Sequence, residues 1–145
     1  MSFSYQHTED SPGYLLWQLA NEWQRNQRQA LAKLNLTHVQ FLILAGISWL
    51  STHSDEPVTQ QHIVKFANID KMMVSTVVQT LVQKKFLKRV DHKHDYRSYT
   101  LTLTQSGHKK VSSAIPVVEK IDADFFNAKT KRLVELNKTL KKLLK

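Results

Sequence analysis

The sequence contains no cysteine, and this absence excludes several kinds of chemistry. Without thiols the chain has no disulfide framework, no thiolate metal site and no cysteine nucleophile. No apolar run approaches the roughly 20 residues that a membrane-spanning helix needs. The N-terminal segment, MSFSYQHTED, carries neither a basic flank nor an apolar core, so we expect no signal peptide. These absences favour a cytoplasmic protein without a membrane partner.

Motifs of the common enzyme classes are also missing. The chain has seven histidines, yet no metalloprotease spacing, nucleophile elbow or phosphate-binding glycine loop occurs. The pairs His92 with His94 and His53 with His62 lack an obvious carboxylate framework, which disfavours a regulatory metal. We expect a protein that is not an enzyme and that uses neither a metal nor another cofactor.

Length and charge indicate what kind of protein remains. A chain of 145 residues with 41% hydrophobic residues fits one globular domain over residues 1–145. The net charge of +9 is uneven, because residues 1–64 hold three cations and five acids whereas residues 65–107 hold eight and three. Residues 108–145 hold ten cations and four acids. This distribution favours a polyanionic partner. A basic surface that only keeps the protein in solution is the alternative.

Helical periodicity dominates the first part of the chain. An apolar stripe predicts a helix over residues 12–34, with Pro12 near its start, where a missing N–H costs least. The segment Thr37-His38-Val39-Gln40 is a capping-box pattern that begins a second helix. The body of this helix, FLILAGISWL, is apolar on nearly every side, so we expect it at the centre of the core.

Residues 59–83 have the organisation of a helix-turn-helix motif. Thr59 caps a short helix that ends near Ala67, Asn68-Ile69 forms the turn, and Asp70 is the expected N-cap of the next helix. Ser, Thr and Gln occupy most of the outward positions of that second helix. Its buried stripe, spaced i, i+3, i+4, i+7 and i+8, consists of Val74, Val77, Val78, Leu81 and Val82. This arrangement matches helix-turn-helix organisation.

A basic β-hairpin follows the second of these helices. Residues 87–90 form one predicted strand, and residues 98–103 alternate in polarity as the other. Thr104 then caps a long helix, and the leucine spacing predicts a last helix from about Lys131 to the end of the chain. The predicted fold is mainly α with a small β-hairpin.

This order of elements favours DNA binding. An α-helix fits the major groove of B-DNA, where short polar side chains reach the base edges. Lys71, at the start of the helix, suits a phosphate, and an arginine of the hairpin suits a narrow minor groove. An ordinary amphipathic surface helix is the alternative, and the basic hairpin beside it disfavours that interpretation. For Lys84 and Lys85, a solvated helix end and a DNA contact both remain open.

The hairpin segment resembles that of one family. Asp95-Tyr96-Arg97-Ser98, followed by Leu101-Thr102-Leu103-Thr104-x-x-Gly107, is similar to the wing of the MarR family of winged helix-turn-helix regulators. That wing has a D-x-R-[SA] element, then a strand and an L-T-x-x-G helix entry, and the similarity covers nearly the whole chain. It implies a winged helix-turn-helix with N- and C-terminal dimerisation helices. It also implies a sequence-specific transcriptional regulator of double-stranded DNA, expected to be a repressor.

The resemblance assigns roles to particular residues. Arg97 would enter the minor groove, and Asp95 would orient it by a charge-assisted hydrogen bond. Residues 70–81 would be the recognition helix, with Ser75, Thr76 and Gln79 as the expected sequence readers. The full set of expected DNA-binding residues is Lys71, Met72, Met73, Ser75, Thr76, Gln79, Lys93, Asp95 and Arg97.

The sequence departs from the family at some of these positions. The family often has small hydroxyl residues where this chain has Met72 and Met73, and an arginine where it has Thr76. We therefore expect a base preference that differs from that of familiar members. Phe86 replaces the glycine that usually ends the recognition helix, so this helix must end in another way.

The resemblance also implies a homodimer. Residues 12–34 and 108–145 would form the dimerisation helices, and residues 35–107 the winged helix-turn-helix DNA-binding region. A dimer would set two recognition helices roughly 34–36 Å apart and would read a near-palindromic operator. The last helix is rich in leucine although it lies at a chain end, which favours the same interpretation. Packing of these apolar stripes within one subunit is the alternative.

Family members commonly bind small phenolic or anionic effectors between the dimerisation and DNA-binding regions, and this lowers operator affinity. The expected contributors in this chain are Trp17, Trp23, Arg28, His38, Phe41 and Trp49. Aromatic residues at helical spacing are more often part of the core, which is the alternative interpretation. Two rival functions remain, a non-specific architectural DNA-binding protein and a module that binds protein. A DNA-binding isotherm that depends on salt but not on DNA sequence would favour the architectural protein.

Overall fold

The structure is a computed structural model that describes residues 2–92 and 95–145, without the side chains of residues 92–98 and Ala128. Strands β1 (Leu87–His92) and β2 (Asp95–Leu103) form an antiparallel hairpin. The predicted fold class, mainly α with a small β-hairpin wing, is confirmed. The helices are α1 (Pro12–Ala32), α2 (His38–His53), α3 (Gln60–Ala67), α4 (Lys71–Gln83), α5 (Gln105–Lys129) and α6 (Leu133–Leu143).

Helix α2 lies at the centre of the core, as its apolar sequence predicts. Ile43, Leu44 and Ile47 have no exposed surface, and the helix packs against α1, α3, α4, α5 and β2. It begins at the predicted capping box, in which the Thr37 hydroxyl accepts a hydrogen bond from the Gln40 amide at 3.1 Å. Truncating one such core side chain to alanine costs about 2–5 kcal/mol. The packing of α2 therefore fixes the surrounding elements.

Helices α1 and α5 pack side by side in opposite directions. Trp23 Nε1 donates a hydrogen bond to Asp122 Oδ1 at 2.7 Å. Just beyond the other end of α1, Lys110 Nζ donates to the carbonyl oxygen of Leu34 at 3.0 Å. Residue numbers thus fall along α5 as they rise along α1, which makes the pair antiparallel.

The outer stripes of α1 and α6 are exposed in the single chain. Leu16 and Trp17 of α1 are 61% and 69% exposed, and Val134 and Leu143 of α6 are 70% and 77% exposed. Other exposed apolar residues in these two regions are Tyr14, Leu15, Leu19, Leu140 and Leu144. Packing within one subunit therefore does not cover these side chains.

The hairpin is attached to the segment that precedes α3. At the base of the hairpin Leu87 pairs with Leu103. The amide of Leu101 donates a hydrogen bond to the carbonyl oxygen of Val58 at 2.7 Å. Leu87 and Leu101 are both buried in the core. These contacts fix the base of the hairpin to the helix-turn-helix.

Candidate DNA-binding surface

Local hydrogen bonds define the turn between α3 and α4. The Thr59 hydroxyl caps α3 by accepting from the His62 amide at 3.3 Å. The helix ends at Asn68, whose φ of 51° lies in the left-handed region that asparagine tolerates. Asp70 caps α4, since its Oδ1 accepts from the Met73 amide at 2.9 Å. The predicted caps and the predicted turn are confirmed.

Helix α4 presents a mixed polar and apolar face to solvent. Val74, Val78 and Leu81 have no exposed surface and pack into the core, which turns the opposite side of the helix outward. We call this side the outer face of α4, and its exposed members, three or four positions apart, are Met72, Thr76, Gln79 and Gln83. The major groove of B-DNA is wide enough to admit an α-helix, so a helix face of this kind can reach base edges.

The other predicted residues of α4 flank the outer face. Lys71 and Met73 are exposed in the first turn, whereas Ser75 is partly buried. The Asp70 carboxylate already accepts from the amide of Met73, so a free amide at that position is not available to a phosphate. The exposed side chain of Lys71 adds a positive charge at this helix end.

Helix α4 ends in a Schellman motif that does not use glycine. Lys85 adopts a left-handed φ of 63°, at a cost of about 1–2 kcal/mol for a residue with a Cβ. Its amide donates to the carbonyl oxygen of Val82 at 3.0 Å, and the amide of Phe86 donates to that of Leu81 at 3.0 Å. The residue that takes the left-handed conformation favoured by glycine is therefore Lys85, one position before Phe86, where the resemblance had led us to expect it.

Tyr99 connects the wing to α3. Its hydroxyl donates a hydrogen bond to Gln60 Oε1 at 3.0 Å. The guanidinium carbon of Arg89 lies 4.9 Å from the centroid of the Tyr99 ring, a cation–π contact. Lys88 and Arg89 are both exposed, so the base of the wing is positively charged.

Three predicted wing contacts involve the tip of the hairpin. Lys93 lies outside the described residues. The structure describes the backbone of Asp95 and Arg97 as part of β2, and it does not describe their side chains. The roles assigned to these three side chains stay predictions.

A polar cluster joins α1, α2 and α5, and we call it the α1–α5 cluster. It consists of Trp23, Gln27, Arg28, His38 and Asp122. Asp122 Oδ1 accepts hydrogen bonds from Trp23 Nε1 at 2.7 Å and from Gln27 Nε2 at 2.8 Å. The His38 ring packs edge-on against Trp23, with ring centroids 5.2 Å apart. Three helices thus meet at one shared carboxylate and one aromatic pair.

Burial and charge set the chemistry of this cluster. Burial lowers the pKa of His38, the nearby Arg28 charge lowers it further, and Asp122 acts in the opposite direction. Gln27 has no exposed surface, and within the described residues its Oε1 has no hydrogen-bond partner. A buried acceptor left in this state costs about 1–3 kcal/mol. The cluster therefore combines a cation, an imidazole biased toward its neutral form and an unpaired acceptor.

The predicted effector residues are only partly brought together. Trp23, Arg28 and His38 belong to the α1–α5 cluster, and Phe41 is buried in the core one turn further along α2. Trp49 stacks on His53 at a centroid distance of 3.8 Å. His38 and Trp49 both lie on α2, and the rise of an α-helix places them about 16 Å apart. Trp49 therefore does not belong to the α1–α5 cluster.

Trp17 also lies apart from the cluster. It is 69% exposed on α1, and nearly two turns of helix separate it from Trp23. The sequence pattern did not indicate Gln27 and Asp122 as members of the cluster. A polar residue within a helical stripe gives no signal until the partner helix is placed against it.

Residues 2–92 and 95–145 contain neither a metal-binding cluster nor a membrane-spanning helix. No group of three or more histidines and carboxylates that would hold a metal ion occurs in this part of the chain. No helix in the same part is both long and apolar enough to cross a membrane.

The fold and the outer face of α4 define a winged helix-turn-helix DNA-binding protein. A family model described as an ArnR1-like, winged-helix domain matches residues 32–121. The chain is 46% identical over 122 residues to YdcH of Bacillus subtilis (strain 168), an uncharacterized HTH-type transcriptional regulator. That match covers 84% of this chain and 82% of YdcH.

Solved structures of DNA-binding proteins share the whole architecture. BpsR of Bordetella bronchiseptica, whose DNA binding is regulated by 6-hydroxynicotinic acid, is similar with a TM-score of 0.85, 23% identity and 97% coverage of both chains. A mutant MarR from E. coli complexed with operator DNA gives a TM-score of 0.84 at 22% identity, covering 98% of this chain and 100% of that chain. This chain therefore belongs to the HTH-type transcriptional regulators with an ArnR1-like winged-helix domain, and it has the fold of MarR, as the wing motif predicted.

Proposed function

We propose that this chain is a sequence-specific repressor that binds a near-palindromic operator as a homodimer and is released by a small aromatic or anionic effector. The observation that carries the proposal is the outer face of α4. Its side chains are fixed outward by a rigid core and stand beside a basic wing. A dimer seated on such an operator would exclude RNA polymerase from the same DNA.

Direct reading of bases is assigned to the outer face of α4. Thr76 and Gln79 present hydrogen-bonding groups to base edges, and Met72 presents an apolar surface suited to a thymine methyl group. Ser75 and Met73 lie on the flanks of this face and contact the DNA at its edge. These residues supply preference among sequences, because contacts to bases carry sequence information.

Affinity that does not depend on sequence is assigned to the cations. Lys71 contacts a phosphate at the start of α4, and Lys93 does so from the wing. Arg97 enters the minor groove, and Asp95 orients it. Each phosphate that is neutralised releases counterions, so the binding constant falls steeply with salt.

The dimer is assigned to the two ends of the chain. Residues 12–34 and 108–145 contain the exposed apolar side chains of α1 and α6. Soluble monomers rarely expose large contiguous apolar patches, and such patches often mark interfaces. Burial of this surface in a dimer leaves residues 35–107 free to bind DNA at two half-sites roughly 34–36 Å apart.

The effector site is assigned to the α1–α5 cluster. Arg28 is exposed and offers a counter-ion for a carboxylate or phenolate, while Trp23 and His38 offer ring surfaces. Lys110 bonds to the Leu34 carbonyl oxygen at 3.0 Å, and its Nζ lies 5.5 Å from the ring centroid of Phe86. A shift of α1 against α5 therefore reaches the end of α4. The regulation of BpsR by 6-hydroxynicotinic acid supports, by similarity, the proposal that the effector is a small aromatic or anionic compound.

The test compares DNA sequences at fixed salt. Purified protein is titrated into duplex DNA from the region upstream of its own gene and into random duplex of equal length and base composition. We expect a preference of at least about a thousandfold, the lower end for specific regulators. Equal binding to both duplexes would favour the non-specific architectural protein instead.

Repression and release are tested on the same DNA. Transcription in vitro from the upstream region should fall when protein is added. A panel of phenolic and anionic aromatic acids should restore it, and the Arg28→Ala variant should respond less to the same compounds. Increased transcription on addition of protein would contradict repression, and an unaltered response of the variant would contradict the assigned effector site.

A further inference from the structure

The sulfur of this protein is concentrated at the start of α4. The chain has no cysteine and has methionine at Met1, Met72 and Met73 only. Met72 and Met73 are 79% and 46% exposed and lie in the first turn of the helix. Sulfur is the protein atom most readily oxidised by two-electron oxidants. Apart from Met1, every such atom in this chain therefore lies on the surface assigned to DNA.

We propose that Met72 and Met73 are oxidation sites at which a peroxide lowers the affinity of this protein for its operator. The proposal rests on the proposed function, because it requires that α4 contact DNA. It places an oxidation response in a regulator that has no thiol to oxidise.

The reaction is an oxygen-atom transfer. The thioether sulfur attacks one oxygen of hydrogen peroxide, an S–O bond forms and the O–O bond breaks. Sulfur loses two electrons and becomes a sulfoxide, and the departing hydroxide takes the proton from the transferred OH group and leaves as water. A methionine sulfoxide reductase, with a dithiol as reductant, reverses the change.

Oxidation changes the surface of α4 and leaves the fold in place. Neither methionine belongs to the buried core, and the hydrogen bond from the Met73 amide to Asp70 involves the backbone. A sulfoxide replaces an apolar, flexible side chain by a polar one. The sulfoxide no longer makes an apolar contact with a thymine methyl group. Water bound to its oxygen must also be removed before it can contact the DNA. Its oxygen also brings partial negative charge toward the DNA phosphates.

The DNA complex and the free protein should differ in their reactivity. An operator seated on α4 covers the two sulfur atoms, so peroxide reacts with free dimers and spares bound ones. Sulfoxide then accumulates in the free pool and prevents rebinding. The extent of oxidation consequently depends on operator occupancy as well as on the peroxide concentration.

The experiment treats the full-length protein with hydrogen peroxide, alone and with operator duplex, and maps sulfoxides by peptide mass spectrometry. Operator affinity and the thermal midpoint are measured before and after treatment. We expect sulfoxide at Met72 and Met73, protection by the operator and an unchanged thermal midpoint. We also expect about a tenfold loss of operator affinity, the scale on which one misfitted base pair weakens specific binding. Treatment with methionine sulfoxide reductase should restore the affinity.

The double variant Met72→Leu with Met73→Leu is the matched control, because leucine has a similar volume and no sulfur. Each protein is compared with its own untreated sample, so any effect of leucine on basal affinity cancels. The variant should lose no affinity on oxidation, although Met1 and the tryptophans remain. Equal losses in both proteins, or sulfoxide at both sites without loss of affinity, would overturn the proposal. Absence of operator preference in the untreated protein would instead overturn the proposed function.

Discussion

Gly107, in the first turn of α5, lies so close to the main-chain carbonyl oxygen of Phe86 that no Cβ fits between them. The same carbonyl oxygen accepts a hydrogen bond from the Thr104 amide at 3.0 Å. The Thr104 hydroxyl accepts from the Gly107 amide at 3.0 Å and donates to the Lys85 carbonyl oxygen at 2.6 Å. The Leu-Thr-x-x-Gly element thus joins the start of α5 to the end of α4. Contact with backbone explains why glycine stands at its last position.

We expect Gly107→Ala to destabilise the protein by about 1–3 kcal/mol, since the added methyl group forces backbone apart. The displacement acts at the end of α4, so operator affinity should fall as well. Urea unfolding and a DNA titration measure the two effects. Gly13→Ala is the matched control, because the nearest atom to its Cβ, the Ser11 Oγ, is 4.0 Å away. That change should be neutral or stabilising by about 0.5–1 kcal/mol. Equal stability of the two variants would contradict the close contact.

Gln79→Ala and Lys71→Ala should weaken DNA binding in different ways. Gln79 stands on the outer face of α4, so its loss should reduce discrimination at one base position by about 1–3 kcal/mol. Lys71 lies beside the N-cap, and its loss should weaken binding to all sequences and reduce the salt slope by about one. Titrations against operator, point-mutated operators and random duplex at several salt concentrations separate the two patterns. A uniform loss for Gln79→Ala would contradict direct reading by that residue.

Local signals made much of the DNA-binding region predictable. Thr37, Thr59, Asp70 and Thr104 each cap the helix that follows, as expected, because an N-cap depends on only a few neighbouring residues. The valine and leucine spacing in α4 likewise indicated which side is buried. These features depend on the chain within one or two turns, which is what a sequence pattern records.

Features that depend on distant parts of the chain were not predictable. The α1–α5 cluster depends on Asp122, which lies 99 residues from its hydrogen-bond partner Trp23. The wing is attached through Tyr99 and Gln60, which are 39 residues apart. The sequence pattern also predicted both Trp49 and Trp23 as effector-site residues, although only Trp23 belongs to the α1–α5 cluster. Their difference lies in which helix packs against each of them.

We expect Leu16→Glu to prevent dimerisation. Leu16 is 61% exposed in the single chain, and a carboxylate buried at an apolar interface without a partner is strongly unfavourable. Analytical ultracentrifugation should give the dimer mass for the unmodified protein and the monomer mass for the variant. Val90→Glu is the matched control, since Val90 is 50% exposed on the wing, outside the proposed interface. A dimer mass for Leu16→Glu would place the interface elsewhere.

Protonation of His38 should make stability fall on acidification. Burial, and then the Arg28 charge, lower the pKa of His38 in the folded chain below its ordinary value of 6.5, so the unfolded chain takes up this proton more readily. The stability that the lowered pKa of His38 contributes is complete above pH 6.5. It declines as the pH falls from 6.5 toward the pKa of His38 in the folded chain. The His38→Phe variant keeps a ring beside Trp23 and does not titrate. Between about pH 7.5 and about pH 5.5 the unmodified protein should lose more unfolding free energy than this variant. Equal losses in urea unfolding would show that His38 does not carry the pH dependence.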